Sequence, residues 1–438
     1  MKHRLRAFAL LLSLALLLNL TALAAPAPSD AAMRGVWVSS VYNLDYPKTP
    51  GTDAASLRRQ ADAILNGAES MGLNAIFLQV RPSADALYPS GIFPWSKYLT
   101  GTCGAAPTDG FDPLRYFIDG AHARGLELHA WLNPYRITKG KDAEWGALPA
   151  SHPAKQHPEY TVKYTDGNYY FNPGLPAVRQ LVEDGVSEIL DKYPDIDGIH
   201  FDDYFYPGQD FDDAATFAQY GGGFSDIGDW RRENVNILVR ELDALIHRKN
   251  PAIQFGISPS GVWANKADNP RGSDTRGGNP SYSKAYADTL AWISEGTVDY
   301  VCPQLYWYMG QSAADYTVLT KWWSDAVKGS DVKLYIGEAA YKCDDPEQGD
   351  IWKGSAELLR HLGYCETQPG VGGHIFFRYG SFDEVPGLRA ALTGYYATAA
   401  NTPATDTPPG SGFDAAGDAA RAAGFLQTFL LFLQAVIR

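Results

Sequence analysis

The sequence predicts a closed (β/α)₈ barrel, and three observations predict it. Eight short apolar, β-rich runs alternate with helix-length amphipathic segments; tight links lead into these runs; and long aromatic loops leave them. The runs are residues 34–40, 75–80, 126–132, 198–201, 254–257, 300–305, 333–337 and 373–377. Eight strands with intervening helices suit a closed barrel better than an open sheet. Asp112-Pro113 and Asn172-Pro173 each set a capping side chain before a proline suited to a first helical turn, so helices are expected to begin there. The links into strands are terse, as at Met71-Gly72-Leu73, Ala123-Arg124-Gly125 and residues 370–372. The segments leaving the second to fifth strands are long and rich in Pro, Gly, Trp and Tyr. Long loops confined to strand exits mark the face on which a site is built.

With 438 residues, 45% of them hydrophobic and 13% aromatic, the chain has ample material for a large core, and the barrel is assigned to residues 33–396. Acidic residues outnumber basic ones, 50 to 37, and no basic run follows the first few residues, which makes nucleic acid a poor partner. At the N-terminus, Lys2, Arg4 and Arg6 precede an apolar run and the small residues Ala22-Leu23-Ala24. That pattern predicts a signal peptide over residues 1–25, and hence an extracellular or cell-envelope protein. Residues 397–412, rich in Thr, Pro, Asp and Gly, read as a linker. The segment 413–438 is apolar enough for a helix but short for a bilayer; peripheral contact with a membrane, packing on the barrel and self-association all fit it.

Of the four cysteines, Cys302 sits in an apolar run and reads as a buried thiol, while Cys343 and Cys365 flank one predicted helix at a spacing that permits a bridge. No CxxC or Cys/His cluster at zinc spacing occurs, so neither a structural metal nor a cofactor is expected.

Alternate residues of a strand share a face. One set is apolar and suits the helix layer: Ile76, Leu78 and Val80; Leu128, Ala130 and Leu132; Ile199 and Phe201; Val301, Pro303 and Leu305. The other set is polar: Gln79 and Arg81, His129 and Asn133, His200 and Asp202, Gln254 and Ser258, Gln304 and Tyr306, His374 and Arg378. Burying so many hydrogen-bonding groups is costly unless they satisfy one another or meet a polar ligand. A hydroxyl-rich ligand suits them, with Trp95, Tyr135, Tyr204, Tyr206, Trp263 and Trp307 of the exit loops available to stack on sugar rings. The fourth strand ends in the adjacent carboxylates Asp202 and Asp203. Two carboxylates so close cannot both ionise easily, so one is expected to hold a proton near neutral pH while the other stays charged.

Several segments together resemble the glycosyl-hydrolase-like 10 family of bacterial envelope proteins over essentially the whole barrel. They are Arg34-Gly35-Val36-Trp37, Gln79-Val80-Arg81-Pro82, Trp131-Leu132-Asn133-Pro134-Tyr135-Arg136, the Asp202-Asp203 segment, Gly256-Ile257-Ser258-Pro259 and Pro303-Gln304-Leu305-Tyr306-Trp307. The resemblance implies a (β/α)₈ fold acting on envelope glycan, including peptidoglycan strands stripped of stem peptides. Arg81, Asn133, Tyr135, Arg136, His200, Tyr204, Ser258, Trp263, Gln304, Tyr306, Trp307 and Arg378 are then the expected substrate contacts.

Two mechanisms fit. Phe201-Asp202-Asp203 looks like the triplet of N-acetylhexosaminidases that use substrate assistance: Asp202 polarises the 2-acetamido group, Asp203 is the acid and Tyr306 steadies the acetamide. Alternatively Glu338, directly after the seventh strand, stands where many retaining barrel glycosidases carry their nucleophile, or else pairs with Arg378. Two rival classes remain. A metal-dependent deacetylase would use His200-x-Asp202, joined by His129 or His374. A non-catalytic glycan-binding barrel would use the same aromatics and polar interior. Ser258 lacks the Gly-x-Ser-x-Gly elbow of a nucleophilic serine and reads as a ligand contact.

Overall fold

A computed structural model describes residues 32–400. Eight parallel strands close a barrel in the order β1 (Met33–Val38), β2 (Ala75–Arg81), β3 (Glu127–Leu132), β6 (Gly198–Phe201), β7 (Gln254–Ile257), β8 (Tyr300–Val301), β9 (Lys333–Glu338) and β10 (Val371–Phe376), which returns to β1. A small antiparallel hairpin, β4 (Thr161–Lys163) and β5 (Tyr169–Phe171), belongs to the loop leaving β3. The main helices of the outer layer are α1 (Ala54–Ser70), α2 (Pro113–His122), α3 (Pro176–Lys192), α4 (Ile227–Lys249), α5 (Thr289–Glu295), α6 (Tyr316–Ala326), α7 (Ala356–Cys365) and α8 (Leu388–Ala400).

Local chemistry sets these bounds. Asp112 caps α2 by accepting from the Arg115 N–H, with Pro113 in the first turn. Asn172-Pro173 does not start a helix: its amide oxygen accepts from the Gly174 N–H, which closes a turn, and α3 begins at Pro176. The tight links into β2 and β3 need a left-handed residue, supplied by Gly72 (φ 73°) and Gly125 (φ 67°). β8 is shorter than the apolar run predicts. Pro303 lacks an N–H for the ladder, and Gln304 keeps isolated bridges to Ser260 and Gly337.

The division of strand faces follows the sequence for most positions. Ile76, Leu78, Val80, Leu128, Ala130, Leu132, Ile199, Phe201, Val301 and Leu305 join the core between barrel and helices. Trp37, Phe77, Trp131, Tyr300, Cys302 and Tyr335 fill the barrel itself. The filling is tight: a Cβ on Gly198 would stand 2.1 Å from the His129 ring, and one on Gly256 would stand 1.9 Å from the Tyr300 ring.

Two polar residues assigned to the interior face the other way. An irregularity between Gln79 and Arg81 resets the alternation, and Arg81 turns toward the helices. Its guanidinium lies 4.6 Å from the centre of the Phe93 ring and against Gly185 of α3. A second irregularity, between Val371 and His374, accompanies the outward turn of His374. The bridge considered for Cys343 and Cys365 is not formed: all four cysteines are free, and the Cys365 thiol instead meets the Tyr316 hydroxyl at 3.1 Å.

The expected signal peptide, the segment 413–438 and the part of the expected linker beyond residue 400 lie outside the described residues; residues 397–400 continue α8. Among the described residues, no helix is long and apolar enough to cross a membrane.

Candidate active site

A column of hydrogen-bonded side chains rises through the barrel interior. His129 Nε2 lies 3.2 Å from Glu127, His129 Nδ1 lies 3.3 Å from the Tyr300 hydroxyl, and that hydroxyl lies 3.0 Å from His200 Nδ1. His200 Nε2 accepts from the Trp37 indole N–H at 3.1 Å and meets Ser258 Oγ at 3.0 Å. An indole can only donate, which fixes His200 Nε2 as an acceptor and the ring proton on Nδ1. Complete burial holds the His200 pKa well below its usual value, so the ring is neutral. His200 and Ser258, expected as substrate contacts, thus form the floor beneath the site, their side-chain polar atoms engaged by each other and by Trp37, Tyr300 and the Phe201 carbonyl.

Above that floor stand the paired carboxylates. Asp202 is buried, and its oxygens accept from Trp131 Nε1 at 3.3 Å, from Asn133 Nδ2 at 3.1 and 3.2 Å, and from the Tyr204 N–H at 3.2 Å. Burial raises its pKa, while Arg136 and these donors favour the charged form. Asp203 lacks such a cradle. Burial first, then the Asp202 charge, push its pKa up to about 7 against a smaller opposing effect of Gln304. One carboxylate is therefore fixed and surrounded by donors, and its neighbour is poised to exchange a proton near neutrality.

The rim is built by the loops leaving β1, β3, β6 and β8. Arg136 is tied by its guanidinium to the Pro82 carbonyl at 2.6 and 2.9 Å, and lies 5.1 Å from the centre of the Tyr204 ring. Asn133 holds this turn, since its Oδ1 accepts from the Arg136 N–H at 2.8 Å. Gln304 donates to the Ser258 carbonyl at 3.0 Å, and Tyr306 lies within electrostatic reach of Asp203, with its ring 6.2 Å from that of Phe377. Trp307 and Trp95 are half-buried. Tyr204 is 48% exposed.

Sequence reasoning missed two further rim residues, Tyr42 and Lys139. Tyr42 is 59% exposed and has a left-handed backbone (φ 57°), unusual for a bulky residue. Its loop is pinned from below: Gln79 Oε1 accepts from the Ser40 and Val41 N–H groups, and Asp45 accepts from those of Ser39 and Gly380. Trp131, which donates to Asp202, stood in the sequence only as part of the segment that carries the family resemblance.

Several expected site residues lie elsewhere. Glu338 points out of the barrel, in step with Leu334 and Ile336 of the same strand. It accepts from the Tyr316 hydroxyl at 2.6 Å and lies 3.0 Å from His361 Nδ1 and 3.1 Å from His374 Nδ1, all behind the barrel wall. Burial opposes its charge, but the two histidines hold its carboxyl down at about 2. It is thus not placed to attack a substrate in the barrel mouth, nor does it pair with Arg378. Arg378 binds Asp45 at 2.9 Å and Glu384 at 2.7 Å, joining the loops after β10 and β1. Tyr135, Tyr206 and Trp263 are buried in the cores of their own loops and offer no face to a ligand.

The donor atoms of Glu338, Cys365 and His374 lie within 4.8 Å of one another, close enough to hold a metal ion, although Glu338 is already fully hydrogen-bonded without one. The ligand set considered for a deacetylase does not converge. His129 lies deep in the barrel, His374 faces outward, and both His200 nitrogens are engaged.

Comparison with known proteins agrees with this architecture. Residues 32–352 match the family described as glycosyl hydrolase-like 10. Glycosyl hydrolase YngK of Bacillus subtilis is 43% identical over 378 residues, which cover 84% of this chain and 72% of that protein. Glycosyl hydrolase DigH of Escherichia coli K12 is 39% identical over 371 residues, covering 80% and 83%. Among solved structures, alpha-L-fucosidase isoenzyme 2 from Paenibacillus thiaminolyticus superposes with a TM-score of 0.50 at 13% identity, over 84% of this chain and 50% of its own; that likeness speaks to the barrel fold alone. On the family match and these two relatives, the chain belongs to the glycosyl hydrolase-like 10 family.

Proposed function

We propose that this chain is an exported glycoside hydrolase that cleaves cell-wall glycan, peptidoglycan strands above all, with Asp203 as proton donor and Asp202 as the carboxylate that orients a 2-acetamido group. The observation that carries this reading is the contrast within the pair. Asp202 is gripped by Trp131, Asn133 and the Tyr204 N–H, whereas Asp203 has a pKa of about 7. With Glu338 behind the barrel wall, the substrate's own acetamide is the available nucleophile. Its carbonyl oxygen attacks the anomeric carbon, the glycosidic C–O bond breaks, and the departing oxygen takes the proton from Asp203. Water then opens the oxazolinium ring and returns a proton to Asp203. Arg136, Gln304, Tyr306 and Trp307 line the approach, and Tyr204 stacks on a sugar ring. The names of the two relatives, both glycosyl hydrolases, support the same reaction class.

Incubating purified wall glycan and chitin oligosaccharides with the protein, and reading soluble saccharides by mass spectrometry, tests this. Release by the wild type and none by Asp203→Asn is expected. No release from any of these substrates would overturn the proposal in favour of a glycan-binding barrel.

A further inference from the structure

A separate pocket lies against the rim of the barrel mouth. The loops leaving β2 and β3 enclose a cavity of about 210 Å³, smaller than the roughly 300–1,000 Å³ of drug-sized sites. Its walls continue the rim. Ser83 follows Pro82, whose carbonyl ties Arg136, and Ile137 follows Arg136 itself. Ser83, Ala84, Asp85 and His152 are buried in it, whereas Gly101, Thr102 and Ala147 are exposed and give the cavity an entrance.

The polar groups at its buried end do not satisfy one another. Asp85 is 6% exposed and accepts from the Ser83 N–H at 3.1 Å and from the Ser96 hydroxyl. Among the described residues, no Lys, Arg or His nitrogen lies within 4.0 Å of its carboxyl. The two candidates that line the cavity are committed elsewhere. Lys97 pairs with Glu144 at 2.7 Å, and Glu144 also accepts from the Lys139 and Gly140 N–H groups. His152 Nδ1 accepts from the Ala154 N–H at 3.0 Å, and burial holds its pKa down at about 4, so the ring is neutral. Burial also pushes the Asp85 carboxyl up to about 6. Beside it, the Ser83 hydroxyl is buried and has no partner. A carboxylate without a cation and a hydroxyl without a partner both carry a burial cost, which a suitable ligand would relieve.

Charge and wall chemistry narrow that ligand. Two carboxylates, Asp85 and Glu144, face one ammonium, Lys97, so the lining carries an excess negative charge. Ile137 and Leu148 make the remaining wall apolar, which suits methylenes and leaves ligand hydroxyls without partners. An ammonium offers three donors and needs no acceptor. We propose that this cavity binds a primary ammonium on a short aliphatic stem, with Asp85 and the Ser83 hydroxyl accepting from the ammonium and Ile137 and Leu148 lying against the stem. A free alkylamine and the amine-ended side chain of a peptide share this chemistry.

The test titrates four probes into the full chain by calorimetry: n-pentylamine, methylamine, n-pentanol, and lysine blocked at both main-chain ends. Pentylamine is expected to bind about tenfold tighter than pentanol, as one charge-assisted contact allows, and several-fold tighter than methylamine, which lacks the stem. Asp85→Asn should abolish the preference for the amine over the alcohol. Ser83→Ala removes a hydroxyl that holds nothing in the fold, and should weaken pentylamine several-fold with the melting temperature kept. Blocked lysine binding as tightly as pentylamine would support the site with a peptide side chain as its source; binding of pentylamine alone would support it with a free amine. No binding of pentylamine, equal affinity for pentanol or for methylamine, or an amine preference that survives both substitutions would overturn it.

Discussion

Asp203 and Glu338 are both carboxylates at the end of a barrel strand, Asp203 partly buried and Glu338 wholly so, yet their surroundings act in opposite ways. Asp203 stands beside another carboxylate and is pushed up to about 7. Glu338 stands among Tyr316, His361 and His374 and is held at about 2. Burial raises the pKa of both; the neighbours decide the outcome. The proposed proton donor has few donors about it, Gln304 among them, whereas the carboxylate that ties two helices to the barrel is saturated with them. Position at a strand end therefore does not identify a catalytic group; the face on which the strand presents it does.

This contrast can be broken or sharpened by experiment. The largest effect expected on stability is that of Glu338→Ala, which removes the acceptor shared by α6, α7 and β10 and leaves His361 buried beside Glu357 alone. A loss of about 3–5 kcal/mol is expected in denaturant unfolding, as for other broken buried ion pairs. Next, Asn133→Ala should lower turnover about tenfold and stability by about 1–3 kcal/mol, because it frees both Asp202 oxygens from one donor group and leaves the Arg136 N–H without its acceptor.

The pH dependences should separate. Turnover needs protonated Asp203, so it should fall as pH rises through about 7, approaching tenfold per unit. Glu338 has a depressed pKa in the folded state, so its stabilisation is present above the ordinary glutamate range and is lost as pH falls toward about 2. Measuring rate and unfolding free energy over one pH series checks both directions. The smallest effect is that of Tyr42→Ala, expected to raise KM by a few-fold through loss of one stacking face while the melting temperature stays near that of the wild type.

Much of this was legible in the sequence, and the failures have physical causes. Period-two alternation placed His129 and His200 inside and Leu78, Leu128 and Val301 outside, because a strand buried on both sides obeys its pleat. Arg81 and His374 were misassigned where strand pairing is irregular, and such irregularities leave no mark on the residue pattern. Glu338 was a different error: Leu334 and Ile336 are outward on the same strand, so parity alone would have turned it away from the mouth. Tyr135, Tyr206 and Trp263 were read as sugar platforms because they lie on exit loops. Loops of this length need apolar cores of their own, and these rings supply them. Tyr42 was hidden for the opposite reason, since a left-handed tyrosine carries none of the glycine or asparagine signals that mark such a turn.

The most direct test of the account compares turnover of one acetamido-bearing glycan by the wild type, Asp203→Asn and Glu338→Gln, each normalised to folded protein. Asp203→Asn should lose about 10²–10⁴-fold in kcat, as loss of a general acid does, while Glu338→Gln stays within a few-fold of the wild type despite its lower stability. An equal loss in Glu338→Gln at matched folded fraction, or full activity in Asp203→Asn, would contradict it.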